Sequence, residues 1–247
     1  MQFINTVTPF EQTNFDPSTT IVNPHGGVDI KTALDFDLTD EEIVRLCGAP
    51  TGSMVTVSYH AAWPIDDDDR PPPGVYFEVE NSGYIRSHNV VGVFVDDVSI
   101  PSYGLYLKLI DFYPYPKAPR RMAARMLAIM VRQALLIRGL TRFRLLAAGG
   151  RSWGDLSTGE RWGGYYAWPR YGFDGALLKE TRDIGTWFPY YPKRLAACKT
   201  VRDVLQVDGG SEYWKYAGDG TFMDFDLSSF STASIQALDF VLKEGNI

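Results

Sequence analysis

From Phe112 to Gly154 the chain has no Asp or Glu, yet it carries Lys117, Arg120, Arg121, Arg125, Arg132, Arg138, Arg142, Arg144 and Arg151. These nine positive charges, in a chain of net charge −6, leave −15 for the remainder. The asymmetry points to an anionic partner at this segment. Lys117, Arg120 and Arg121 fall in or just before the first turn of the clearest helix pattern in the sequence. Unpaired backbone N–H groups and the helix dipole already make that end positive, so cations there are unfavourable unless something negative binds. Phosphate held by backbone N–H groups between flanking arginines is the chemistry such an arrangement supplies.

Other residues capable of chemistry are more scattered. Asp66, Asp67, Asp68 and Asp69 precede Arg70 and three prolines, a run that excludes regular structure and reads as an exposed loop; it lacks the spaced oxygen ligands and turn glycine of a calcium site. His25, His60 and His88 never fall four apart on one helical face, so no metal site is expected. Cys47 and Cys198 have no CxxC spacing and fit two free thiols in a reducing, cytoplasmic compartment. Apolar runs such as Ala134 to Ile137 are far short of a bilayer span, and Met1-Gln2-Phe3-Ile4 has no basic leader, so neither membrane nor export is expected. At 45% hydrophobic and 14% aromatic, the 247 residues suffice for a buried core.

The elements that must position the basic segment follow from periodicity. Thr39 to Glu42 has the form of a capping box opening a helix to about Cys47, and Met54 to Tyr59 alternates like a strand. Val75–Val79, Val90–Val95 and Leu105–Phe112 are further strands, separated by Asn-Ser-Gly and Pro-Ser-Tyr-Gly turns, and predict a largely antiparallel meander. Pro114, Pro116 and Pro119 break the last strand before a helix over Arg120 to Arg138, with Arg121, Arg125 and Arg132 in one stripe opposite an apolar side made of Met126, Leu127, Met130 and their neighbours. Gly139 ends it; Thr141 to Ala147 is a strand, and after a glycine-rich loop Tyr165 to Arg170 is a short helix before Gly172-Phe173. The fold class expected is therefore α/β (α+β), a mixed, largely antiparallel sheet with flanking helices.

This order resembles the GNAT superfamily of acyl-CoA-dependent N-acyltransferases over about Val75 to Phe173. In that family a splayed strand admits pantetheine and a Q/R-x-x-G-x-G/A turn cradles the pyrophosphate. The matching stretch, Pro119-Arg120-Arg121-Met122-Ala123-Ala124-Arg125, has the arginines but alanines for both glycines. Gly164 to Phe173 is similar to the family's A-x-x-x-Y-x-x-x-G-F ending, with Trp168 where the family's proton-donating tyrosine stands. The resemblance implies acetyl-CoA or another acyl-CoA as cofactor, held by Ile110, Phe112, Lys117, Arg120, Arg121, Ala123, Ala124, Arg125 and Trp168. It implies Tyr165, one turn before Trp168, or Tyr166 as substitute acid, and Asp111 or Glu78 as base, with Asp96 and Asp97 nearby. The implied acceptor is an amine of a small molecule or peptide.

The remaining segments are expected to decorate this core. Residues 1–73 form an N-terminal elaboration, 74–178 the acyl-CoA-binding core, and 179–247 a C-terminal extension packed on it. Trp187-Phe188-Pro189-Tyr190-Tyr191-Pro192, Trp214 and Phe222 supply aromatic packing there, and Ser231 or Ser234 caps a closing helix to about Leu242. Two other readings of the chain stay open: a catalytically degenerate binding module of the same fold, and, ranking last, a single-stranded nucleic-acid binder using the arginine stripe.

Overall fold

The structure, a computed structural model, describes residues 2–24, 27–63, 69–97, 102–151, 163–185 and 194–244. In chain order the elements are α1 (Gln2–Asn5), α2 (Pro9–Asn14), β1 (Ile21–Pro24), α3 (Ile30–Leu34), α4 (Asp40–Leu46), β2 (Met54–His60), β3 (Gly74–Glu80), β4 (Asn89–Asp97) and β5 (Ser102–Leu109). After them come α5 (Met122–Ala134), β6 (Leu140–Gly150), α6 (Gly164–Arg170), α7 (Lys179–Gly185), α8 (Val201–Gln206), α9 (Gly210–Ala217), β7 (Asp219–Asp226) and α10 (Ala233–Glu244). The seven strands make one sheet in sequence order. β1–β2 and β5–β6 pair parallel and the other four pairs antiparallel, so the sheet is mixed and largely antiparallel.

One register row shows why these strands associate. Val57, Phe77, Val91, Leu107, Leu145 and Met223 lie side by side across six strands, all buried in the core under the helices. The row one residue further along β2 is Ser58, Tyr76, Gly92, Tyr106, Arg144 and Asp224, on the opposite face. Period-two alternation separates the two sets. On that opposite face aromatic rings lie flat over glycines: a Cβ on Gly92 would sit 2.3 Å from the Tyr76 ring, and one on Gly104 2.2 Å from the Phe94 ring.

The capping box of α4 is present in full, with the Thr39 side chain accepting from the Glu42 N–H and the Glu42 carboxylate accepting in return. Just beyond it Gly48, at φ 58°, lets the chain press on α5, where a Cβ would fall 2.2 Å from the Met126 Cγ. Helix α5 is shorter than its sequence pattern and is buried nearly all round, since α1, α4 and α10 pack on it as well as the sheet. Arg125 and Arg132 are thus covered, while Arg121 at the start of the stripe stays exposed. Arg125, expected at the anion site, is 2% exposed and points its Nη1 at the Glu11 carboxylate 3.3 Å away, while Arg132 reaches the same carboxylate at 2.6 Å.

Several expected boundaries shift. β5 starts at Ser102 and ends at Leu109, so Ser102-Tyr103-Gly104 are strand where a turn was expected. The closing helix α10 is capped by neither Ser231 nor Ser234: the Thr232 hydroxyl accepts from the Ile235 N–H, and buried Ser234 instead receives bonds from the Asp226 N–H and Arg202. The 1–73 segment contributes β1 and β2 to the sheet and 179–247 contributes β7, so both are parts of the central layer. Asp66 to Asp68, the glycine-rich loop's middle and the Trp187 to Pro192 cluster lie outside the described residues. No helix among the described residues is long and apolar enough to cross a membrane.

Candidate functional site

A break in the sheet makes the site. β5 and β6 pair in parallel from Tyr103↔Leu140 to Leu107↔Leu145 and no further, although β5 continues to Leu109 and β6 to Gly150. On its other edge β5 is bulged: Val91 opposes Leu107 and Val90 opposes Leu109, which leaves Lys108 as the extra residue. A bulge bends its strand and sharpens the local twist, and here it falls at the residue where β5 parts from β6. The gap is a cleft of about 390 Å³. Residues 107–112 with Ala123 form one wall, Leu145, Leu146 and Ala148 the other, and Ala167, Trp168 and Tyr171 close the end. Parted strands also leave backbone groups facing the gap without a ladder partner across it.

A second hollow of about 350 Å³ adjoins the cleft, sharing Ala167 and Tyr171 with it. Arg121, Ala124, Tyr166, Arg170 and the carboxylate-bearing Glu244 line it. It lies against the start of α5, whose N-cap residue Arg121 is in the left-handed region (φ 68°) and supplies no side-chain cap. The first-turn N–H groups therefore face this end uncapped. The Arg170 guanidinium lies over the Tyr166 ring at 5.6 Å, Lys117 over Tyr113 at 3.2 Å and Arg120 over Tyr115 at 4.6 Å. An apolar slot leading to a cationic helix start suits a long ligand with an apolar arm and an anionic head.

The structure brings together some of the residues singled out in the sequence and separates others. Ile110, Phe112, Ala123 and Trp168 line the cleft, and Arg121 and Ala124 line the hollow. Lys117 and Arg120 stand before α5 on their tyrosines, and Arg125 is turned away to Glu11. Asp111 is at the cleft but engaged: it accepts from Arg86 Nη2 at 2.9 Å and from the Ser87 hydroxyl at 3.1 Å, and its own N–H donates to Asn89. Glu78 is on the opposite face, 3.9 Å from His88. Tyr165 does not line the cleft; its hydroxyl donates to the Lys215 carbonyl at 2.7 Å, and burial raises its pKa, with the neighbouring Tyr166 adding to the effect. Tyr166 faces the hollow. Asp96 pairs with Arg142.

Three residues of the groove have no counterpart in the sequence reading. Tyr171 lines both cleft and hollow, and its hydroxyl has no hydrogen-bond partner among the described residues. Arg170 supplies the far side of the hollow, and Arg86 reaches the cleft from the β3–β4 connection. Only the spacing of Tyr171 after Trp168 could have signalled the first, and nothing local signals Arg86. Among the described residues no group of three or more His, Cys, Asp or Glu side chains is placed to hold a metal. No family model matches the chain, and no curated protein and no solved structure matches it either.

Proposed function

We propose that this chain is an acyl-CoA-dependent N-acyltransferase built on the GNAT plan, transferring an acyl group, acetyl in the simplest case, to an amine. The observation that carries the reading is the parting of the parallel strands β5 and β6 at the Lys108 bulge, directly beside an uncapped helix start flanked by Arg121 and Arg170. The cleft along β5, lined by Leu109, Ile110, Phe112 and Trp168, would hold the pantetheine arm, and Arg121, Arg170 and the start of α5 would hold the pyrophosphate in the hollow. Ala123 and Ala124 replace the glycines of the family turn, so the phosphates are held farther from the backbone and more by the two arginines. Backbone N–H groups between Lys108 and Ile110 polarise the thioester carbonyl. The attacking amine loses its proton to water, since Asp111 is taken by Arg86 and Ser87. Tyr171 is the phenol at hand for the departing thiolate.

The test is turnover. Acetyl-CoA with a panel of primary amines should release free CoA thiol at a rate that saturates in acetyl-CoA, and no release above background with any amine would count against catalysis. The second reading, a cofactor-binding module without chemistry, is favoured by one observation: two of the four expected catalytic groups, Asp111 and Tyr165, are spent on structural bonds. It predicts CoA binding with no thiol release. Two buried free cysteines, Cys47 with its thiol pushed up to about 12 by burial, suit the cytoplasmic setting of such an enzyme.

A further inference from the structure

We propose that Lys108 is itself an acyl acceptor, a self-acylation site at the point where β5 leaves β6; the inference rests on the acyl-CoA reading of the cleft. Among the described residues that line the cleft, Lys108 carries the one primary amine. Regular alternation along β5 puts Lys108 on the same face as Tyr106, and the bulge falls on it, at the residue where β5 parts from β6. The head lies on the opposite face of the sheet from α5, 4.5 Å from the centroid of the Trp63 ring and 3.9 Å from the Asp69 carboxylate, with the side chain 19% exposed. His60 stacks on Trp63 at 4.2 Å, and the Tyr106 hydroxyl donates to Asp69, so this surrounding is held in place. The amine is thus largely shielded from bulk water, on a flexible four-carbon stem carried by a residue that lines the cleft.

The step balances without any further reactant. The ammonium gives one proton to water, and the neutral Nζ attacks the thioester carbonyl carbon. The N–C bond forms, the C–S bond breaks with its electron pair going to sulfur, and the second nitrogen proton passes through water to the thiolate. One amide, one CoA thiol and one released proton result. Acylation makes the side chain neutral, so it ends both the ion pair with Asp69 and the cation–π contact with Trp63. Exposure to acyl-CoA is thereby recorded on the face of the sheet opposite the helices, in the contacts that tie residues 63 and 69 to β5.

Peptide mass mapping of the full chain after incubation with acetyl-CoA tests this. Acetyl should appear on Lys108 about tenfold or more faster than on Lys31, whose side chain is 70% exposed and reacts from bulk solution, because the cleft holds the thioester at high effective concentration. Lys108→Arg should abolish that adduct, and the double variant Arg121→Glu with Arg170→Glu should slow Lys108 to the Lys31 rate. Equal labelling of all lysines, or no label on Lys108 in a protein that still binds CoA by calorimetry, overturns the self-acylation and leaves the cofactor site standing. A chain that binds no CoA overturns both.

Discussion

Tyr165 and Tyr171 stand six residues apart with opposite surroundings, and the account assigns them different work. Tyr165 gives its hydroxyl to the Lys215 carbonyl, and its own carbonyl accepts from Trp214, so Tyr165→Phe should cost about 1 kcal/mol of stability and leave turnover within about twofold. Tyr171→Phe should slow turnover by about 10- to 100-fold at constant CoA affinity; the loss is limited because a thiol of pKa about 8.5 is already a fair leaving group. Steady-state kinetics on the two variants separates them, and the reverse ranking would return the acid role to Tyr165. Asp111 belongs to the same comparison. Its carboxylate anchors Arg86 and Ser87, so Asp111→Asn should lower the melting temperature by a few degrees while the pH dependence of turnover keeps its shape. Trp168 was legible from its spacing before Gly172-Phe173, and it does face the cleft. The tyrosine beside it was not, because a helix end decides which ring of an aromatic run turns inward, and that end depends on packing against Phe225 and Ser234.

Elements with strong local codes were legible: the Thr39–Glu42 box, strand β2, whose apolar residues alternate, and strands β3 and β4, rich in Val, Tyr and Phe. β1 and β7 were not. β1 offers four largely exposed residues, and β7 is Asp-Gly-Thr-Phe-Met-Asp-Phe-Asp, whose inward Met223 and Phe225 are too few to announce a strand without β6 beside them. Helix α5 was found but its surroundings were misjudged, because its covering comes from α1, α4 and α10, far away in sequence. Glu11 is 2% exposed on its side chain and holds both Arg125 and Arg132, so Glu11→Gln should lower the unfolding free energy in urea by about 3 kcal/mol with CoA affinity unchanged. A change under about 0.5 kcal/mol would mean that the N-terminal helices do not dock on α5 in solution. Ala167 lines both halves of the groove, so Ala167→Phe should fill it and weaken CoA at least about tenfold with little change in melting temperature.

Over the whole molecule, the acid-free run from Phe112 to Gly154 proved to be a poor guide to free charge, because its counterions come from other parts of the chain. Glu11 serves Arg125 and Arg132, Asp96 and Asp224 serve Arg142, Asp224 serves Arg144, and Asp219 serves Arg151. Apart from exposed Arg138 past the end of α5, what remains for a ligand is the small set at the start of that helix, with Arg170 added from α6. That set, and the cleft it adjoins, carry the central claim, and calorimetric titration of the full chain with CoA tests it most directly. The account predicts saturable one-site binding, a stabilisation of about 2.7 kcal/mol at a CoA concentration one hundred times Kd, and loss of both in the Arg121→Glu, Arg170→Glu double variant at an unchanged ligand-free melting temperature. No heat of binding and no thermal shift at millimolar CoA, or equal affinity in the double variant, would contradict it.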